Sequence, residues 1–197
     1  MARPKDTIRE AQVRQKILRA FSTLLVEKSW ENISIREICR EADISVGAFY
    51  HYYHSKDQLM FSKVDVMDQY FDTTVREQAL TCTFADSIRL YVDTYLLFCK
   101  KKGPKYTSQV LRFHLFNTDR EAERKRGVYT ALYDIIQRAK NLGDISQSMD
   151  THQMISELTG AIRGMIFQWC IEPERFDLDG AGKRMTEYYI CGWLSQL

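Results

Sequence analysis

Prolines and glycines are scarce in the first half of this sequence. Its 197 residues contain three prolines, at 4, 104 and 173, and nine glycines, of which Gly47 alone precedes residue 103. Both residue types interrupt helices. Apolar residues instead recur at intervals of three and four, the spacing of helices with one buried face, and strand-like alternation is weak. The sequence therefore predicts an all-α fold.

Long hydrophobic runs are missing too. No apolar stretch approaches the roughly 18–20 residues that a membrane helix needs, and none follows the basic N-terminus as in a secretory leader. The five cysteines are widely spaced and form no CxxC, which argues against a disulfide framework and a zinc knuckle. We therefore expect a cytoplasmic protein that has no membrane partner.

Signatures of catalysis and cofactor binding are absent as well. The sequence contains no GxSxG, HExxH, P-loop or dinucleotide fingerprint, so an enzyme is not expected. His51 and His54 stand three apart, but no third metal ligand is near them in the sequence. We expect neither a metal nor a cofactor.

The charge is distributed unevenly. The net charge is only +2, yet residues 1–20 hold six basic and two acidic residues. A basic end suits a polyanion such as DNA, although a charged run is also commonly a solvated face.

A helix-turn-helix is predicted between residues 34 and 53. Ser34 with Glu37 gives the capping-box spacing, a turn follows at Asp43, and Ser45 caps a second short helix. In such a unit the second helix enters the major groove with its first residues facing base edges. Those positions are small and carry few hydrogen-bonding groups: Ser45, Val46, Gly47 and Ala48.

The residues that follow provide candidate backbone contacts. Helical spacing turns Phe49 and Tyr53 inward and leaves Tyr50, His51 and Tyr52 nearer the nucleic acid. Tyrosine hydroxyls are good phosphate donors, although Tyr52 also fits a simple surface aromatic. Lys56 opens the next helix, where an ammonium and free backbone N–H groups form an anion site.

Several short runs together form a recognisable pattern: Ile17-Leu18, Ala20-Phe21, Ile33 to Ile38, Ala42 to Tyr50, Tyr53, and Ser55 to Leu59. This pattern resembles the tetracycline-repressor (TetR) family of bacterial regulators. Ser29 and Asp43 stand where the family commonly has glycine. Aspartate tolerates a positive φ better than most residues, so we expect the turn to be kept.

The resemblance implies a three-helix DNA-binding domain over residues 1–55 and a helical ligand-binding and dimerisation domain over 56–197. It implies that Ser34 caps its helix near a phosphate, and that Arg36 reaches a base or the backbone, although Arg36 also fits an ordinary solvated charge. The other implied contacts are Val46, Gly47 and Ala48 with base edges, His51 at the groove, and Tyr50, Tyr52 and Lys56 with phosphates.

The second domain is rich in aromatic residues, which suit a pocket for a small apolar or aromatic ligand but equally suit core packing. The candidate ligand contacts are Tyr91, Tyr95, Phe98, Phe113, Tyr129, Tyr133, Met165 and Trp169. The last two helices combine small residues with apolar ones, as at a helix–helix contact. The candidate dimer contacts are Gly160, Ala161, Gly164, Tyr188, Gly192 and Trp193.

The resemblance thus implies a homodimeric repressor that a small ligand releases from a palindromic operator. The helix from Lys56 to about Val75 would connect the two domains and transmit the ligand's effect. A helical interaction module that a protein partner controls, without a ligand pocket, is the alternative.

Overall fold

A computed structural model of the chain describes residues 4–117 and 120–195, with side chains over 10–62, 65–116 and 121–195. This part of the chain is built from α-helices and contains no strand, which confirms the predicted fold class. Arg3 of the basic N-terminal segment lies outside the described residues, and the side chains of Lys5 and Arg9 lie outside the described side chains.

The chain divides into two compact units, with the boundary between Val64 and Asp65. The first unit contains α1 (Pro4–Glu27), a 3₁₀ turn (Trp30–Asn32), α2 (Ile35–Ala42), α3 (Val46–Tyr52) and the start of α4 (Lys56–Tyr70). The unit runs past the predicted boundary at residue 55. The reason is that the start of α4 belongs to it: Leu59 and Met60 are fully buried, and Lys56 is hydrogen-bonded to the 3₁₀ turn.

The second unit contains the rest of α4 and seven further α-helices among the described residues. These are α5 (Arg76–Ala79), α6 (Phe84–Lys102), α7 (Pro104–Asn117), α8 (Arg120–Arg124), α9 (Gly127–Leu142), α10 (Thr151–Ile171) and α11 (Leu178–Leu194). Their apolar faces form one core. Burial of such faces is the main stabilising contribution to a helical domain.

Local signals in the sequence place several helix ends. Asp150 caps α10, its carboxylate accepting the Gln153 N–H at 2.7 Å. Gly143 ends α9 with φ of 78°, a left-handed conformation that suits glycine.

A π-helical segment (Phe71–Val75) interrupts the continuous α-helix that was predicted from Lys56 to about Val75. Phe71 is fully buried there, and its ring centroid lies 5.0 Å from that of Tyr91 and 5.9 Å from that of Tyr95.

Within the described residues, no helix combines the length and the apolar character that crossing a membrane requires.

Candidate nucleic-acid interface

The start of α2 is fixed by a reciprocal pair of hydrogen bonds. Ser34 Oγ accepts the Glu37 N–H at 3.2 Å, and Glu37 Oε2 accepts the Ser34 N–H at 2.9 Å. Lys28 Nζ donates to Glu37 Oε1 at 2.5 Å. These bonds, that from Lys28 foremost, lower the pKa of Glu37 to about 2. The predicted capping box is confirmed.

The turn between α2 and α3 depends on one left-handed residue. Asp43 has φ of 52°, and the Ile44 N–H bonds to the Cys39 carbonyl at 3.0 Å. Aspartate adopts this conformation more readily than most side chains. The turn is therefore kept although Asp43 stands at a position where glycine was expected.

Helix α3 presents its first turn to solvent. Ser45 Oγ accepts the Ala48 N–H at 3.0 Å; Val46 is 39% exposed, Gly47 is exposed, and Ala48 is half-buried. A short helix with a small-residue N-terminal turn and no bulky side chain over it can lie closely against a surface.

The remaining side chains of α3 separate into two faces. Tyr50 is 49% exposed and His51 is exposed, whereas Phe49 and Tyr53 are buried in the first unit. Ser34 and Arg36 of α2 are exposed as well. The inward and outward positions agree with those predicted from helical spacing.

Tyr52 is more constrained than the sequence suggested. It is half-buried, and the guanidinium carbon of Arg14 lies 5.5 Å from its ring centroid and 5.6 Å from that of Tyr53. Arg14 Nη1 also donates to the Tyr52 carbonyl at 3.2 Å. Arg14 thus ties α1 to the end of α3. Sequence reasoning missed this role, because the two residues are 38 positions apart and the only signal was a basic segment.

Lys56 does not present its ammonium to solvent as a phosphate contact would. Nζ donates to the carbonyls of Trp30, Glu31 and Ile33 at 2.7, 2.9 and 2.9 Å, and lies 4.5 Å from the Trp30 ring centroid. An ammonium has three N–H donors, and these three bonds use them all. Burial lowers the pKa of Lys56, an effect that Asp57 and Glu31 oppose.

The aromatic residues proposed as ligand contacts in the second unit fall into three groups. Tyr91, Tyr95, Phe113 and Trp169 are buried, and Phe98 and Met165 pack against the core. Tyr129 and Tyr133 line a cleft of about 390 Å³ together with Asp72, Arg76, Arg124, Thr130, Asp134 and His152. Two of the eight side chains thus line this cleft, and the other six lie in the core or pack against it.

Four of the six candidate dimer contacts are exposed. Gly160, Gly164 and Gly192 are exposed, Ala161 is half-buried, and Tyr188 is 75% exposed. Phe167 and Ile171, which the sequence analysis did not single out, lie on the same face of α10 as the two glycines and are 60% and 57% exposed. Trp193 is a correction: it is only 4% exposed and its ring packs near Phe84 and Tyr189 in the core.

A partly buried charge cluster on the second unit was not anticipated. Glu123 Oε1 pairs with Arg163, while Glu123 Oε2 lies 2.8 Å from His114 Nε2 and 3.4 Å from Arg126 Nη1. Arg126 Nε in turn bonds to Asp68 Oδ2 at 3.1 Å. We call Asp68, His114, Glu123, Arg126 and Arg163 the charge cluster. Its five members come from five separate parts of the helical chain, so no local spacing in the sequence predicts this cluster. Among the described side chains, no group of three or more metal-ligating residues is assembled.

Comparisons with known proteins agree with this geometry. The model of the family described as "Bacterial regulatory proteins, tetR family" matches residues 17–62, which lie within the first unit. The transcriptional regulator AcuR of Cereibacter sphaeroides is 27% identical over 92 residues, which are 47% of this chain and 42% of that protein. The chain therefore spans less than half the length of this relative.

Other similarities extend over nearly the whole chain. The fatty acid metabolism regulator protein of Bacillus subtilis is 18% identical over 183 residues, covering 90% of this chain and 93% of that protein. The crystal structure of FadR from Bacillus subtilis in complex with stearoyl-CoA has a TM-score of 0.74 at 19% identity, covering 90% of this chain and 98% of that one. At this identity the similarity shows a shared fold.

Proposed function

This chain belongs to the TetR family of bacterial regulatory proteins, and on that premise we propose that it is a homodimeric repressor which a small-molecule effector releases from a palindromic operator. One observation carries the proposal: the first turn of α3 is capped, small and exposed at the end of a compact helical unit. A helix of this kind can enter the major groove.

The proposed DNA contacts fall into two groups, those with bases and those with the sugar-phosphate backbone. Val46, Gly47 and Ala48 would lie against base edges, with few hydrogen bonds, and Arg36 would reach a base from α2. Ser45 would face the base edges with them, and His51 would lie at the groove. Ser34, Tyr50 and Tyr52 would hold the backbone and fix the register. We revise the role of Lys56: its ammonium holds the 3₁₀ turn, and the N-terminus of α4 offers backbone N–H groups to a phosphate.

Two copies would act together. One α3 makes too few base contacts for useful sequence specificity. Two α3 helices, one from each subunit, would together recognise both halves of a palindrome and so multiply that specificity. The exposed small and apolar faces of α10 and α11 would form the contact between subunits, as a bundle of two helices from each. Phe167 and Ile171 extend that face.

The effector would bind the second unit. Because α4 passes through the boundary between the units, it is the segment through which such a ligand would change DNA binding. The ligand can do so only by binding the two states with different affinity. Bacillus subtilis FadR, which shares this fold, was crystallised with stearoyl-CoA, which supports a small-molecule effector with an apolar part here.

The experiment that tests DNA binding substitutes Gly47, where an added Cβ meets only Ser45 Oγ at 3.9 Å. Gly47→Glu should fold normally but bring a negative charge against the groove. We expect affinity for the chain's own promoter DNA, measured by fluorescence anisotropy, to fall about 100-fold or more because like charges facing across an interface cost several kcal/mol.

Thr23→Glu is the matched control, since it adds the same charge at an exposed position of α1 in the same unit. Thr23→Glu should lower the affinity for the promoter DNA far less than Gly47→Glu does. Equal losses for the two variants would show that α3 does not face the DNA, and no preference of the wild type for promoter over random duplex would refute the proposed function.

A further inference from the structure

The charge cluster places two permanently charged guanidinium groups inside the second unit. The side chains of Arg126 and Arg163 are 11% and 31% exposed. Arginine does not deprotonate in proteins, so each needs a partner anion wherever it is buried. Asp68 meets this need for Arg126 and also accepts the Val128 N–H at 3.2 Å. Asp68 is therefore held in place by two hydrogen bonds, one from Arg126 and one from the Val128 N–H.

Arg163 depends on a partner that comes from a short helix. Among the described residues, Glu123 is the one carboxylate paired with its guanidinium, and the buried Tyr95 hydroxyl lies near enough for each group to shift the pKa of the other upward or downward. Glu123 comes from α8, a helix of five residues. Its described neighbours on that helix, Glu121, Ala122 and Arg124, are exposed, so the inward-reaching side chain of α8 is that of Glu123.

The surroundings of the Glu123 carboxylate form a complete anion site. Arg163 binds one oxygen, His114 and Arg126 face the other, and the Tyr91 and Tyr95 rings are buried alongside in the apolar core. Burial alone would raise the pKa of Glu123, but the His114 hydrogen bond and the charges of Arg163 and Arg126 together hold that pKa well below its ordinary value. The site therefore stabilises a carboxylate strongly.

We propose that Arg163, with Tyr95 and His114, is the subsite for the carboxylate of the effector, and that Glu123 is an internal occupant which the effector displaces. The effector is then an organic carboxylate whose apolar body lies against the adjoining core. This inference rests on the proposed function, because it names the chemistry of the ligand that the second unit binds. Because Glu121, Ala122 and Arg124 are exposed, release of Glu123 uncovers little apolar surface of α8.

The test compares carboxylates with alcohols of equal length. Full-length protein without DNA is titrated by calorimetry with octanoate, phenylacetate, octanol and 2-phenylethanol. The wild type should bind the carboxylates more tightly than the alcohols. Glu123→Gln should raise carboxylate affinity about tenfold or more and leave alcohol affinity unchanged, because the competing internal charge is gone. Arg163→Gln should remove the preference for carboxylates.

Glu121→Gln is the control on the same helix, since Glu121 is exposed and its ion pair among the described side chains is with Lys125, one turn away; this variant should behave like the wild type. If Glu123→Gln fails to raise carboxylate affinity, or the alcohols bind equally well, the inference is wrong. These titrations contain no DNA, so a failure of operator binding would overturn the proposed function without affecting their result.

A second measurement covers the case in which a variant is unstable. Glu123→Ala leaves space beside Arg163, and sodium propanoate should raise its melting temperature more than sodium chloride at equal concentration. The difference should be smaller in the wild type, where Glu123 competes for Arg163, and absent from the double variant Glu123→Ala with Arg163→Gln. The same response to both salts in Glu123→Ala would overturn the inference.

Discussion

Lys56 is bound by three main-chain carbonyls of the turn that precedes α2. Lys56→Met would leave these carbonyls without their donor while keeping most of the apolar stem. Because hydrogen bonds to charged groups each contribute about 1.5–3 kcal/mol, we expect the free energy of unfolding to fall by about 2 kcal/mol or more, measured by urea denaturation. The salt dependence of DNA binding should keep its slope.

The opposite pattern would contradict this assignment. If the Lys56 ammonium contacts a phosphate, Lys56→Met flattens the salt dependence by about one unit of slope and leaves stability unchanged. Arg36→Ala serves as the comparison, because Arg36 is exposed. Arg36→Ala should leave the free energy of unfolding unchanged. If Arg36 contacts a base, the variant should have a different preference among operator sequences. Equal losses on every sequence would make Arg36 a phosphate contact.

At the scale of single residues, the sequence predicts the interactions between residues that are close together in the chain. The Ser34 and Ser45 caps and the inward placement of Phe49 follow from spacing within one or two helical turns. The partners of Lys56 are 23 to 26 residues away, and that of Arg14 is 38 away. Such partners are set by how the helices pack, which spacing does not encode.

Gly127, the first residue of α9, makes the closest approach between elements of the second unit among the described glycines. A Cβ at this position would lie 2.0 Å from the Asp68 carbonyl oxygen of α4. Gly127→Ala should therefore force the two backbones apart. We expect a loss of about 1–3 kcal/mol in the free energy of unfolding, which is typical of overpacking, measured by chemical denaturation.

Gly47→Ala is the matched control for unfolding measured without DNA, since its added Cβ meets only Ser45 Oγ at 3.9 Å. Within a helix this change should be neutral or stabilising by up to about 1 kcal/mol. A Gly127→Ala variant as stable as Gly47→Ala would show that α9 and α4 do not approach so closely.

At the scale of the elements, some boundaries have a local marker and others have none. Asp177 marks the start of α11, because its carboxylate accepts the Gly180 N–H at 3.0 Å. The π-helical segment between α4 and α5 has no such marker. Phe71 and Val75 fit an α-helical stripe as well as they fit the observed segment, so composition and spacing could not distinguish the two.

At the scale of the whole molecule, the account depends on two copies of this chain reading one operator. The exposed apolar residues of α10 and α11, Phe167, Ile171 and Tyr188, are separate from the core that Trp193 completes. A subunit can therefore fold with this face uncovered. Contiguous exposed apolar surface of this kind marks interaction sites.

The most direct measurement is selection of bound sequences from a random duplex library, carried out in parallel with the wild type and Phe167→Glu. We predict that the wild type enriches a palindrome whose half-sites lie about one helical turn apart or a multiple of it. Phe167→Glu, which places a charge on the exposed face of α10, should keep its fold by circular dichroism and enrich a single half-site with reduced affinity. Enrichment of no motif by the wild type, or of a motif without twofold symmetry, would contradict the account.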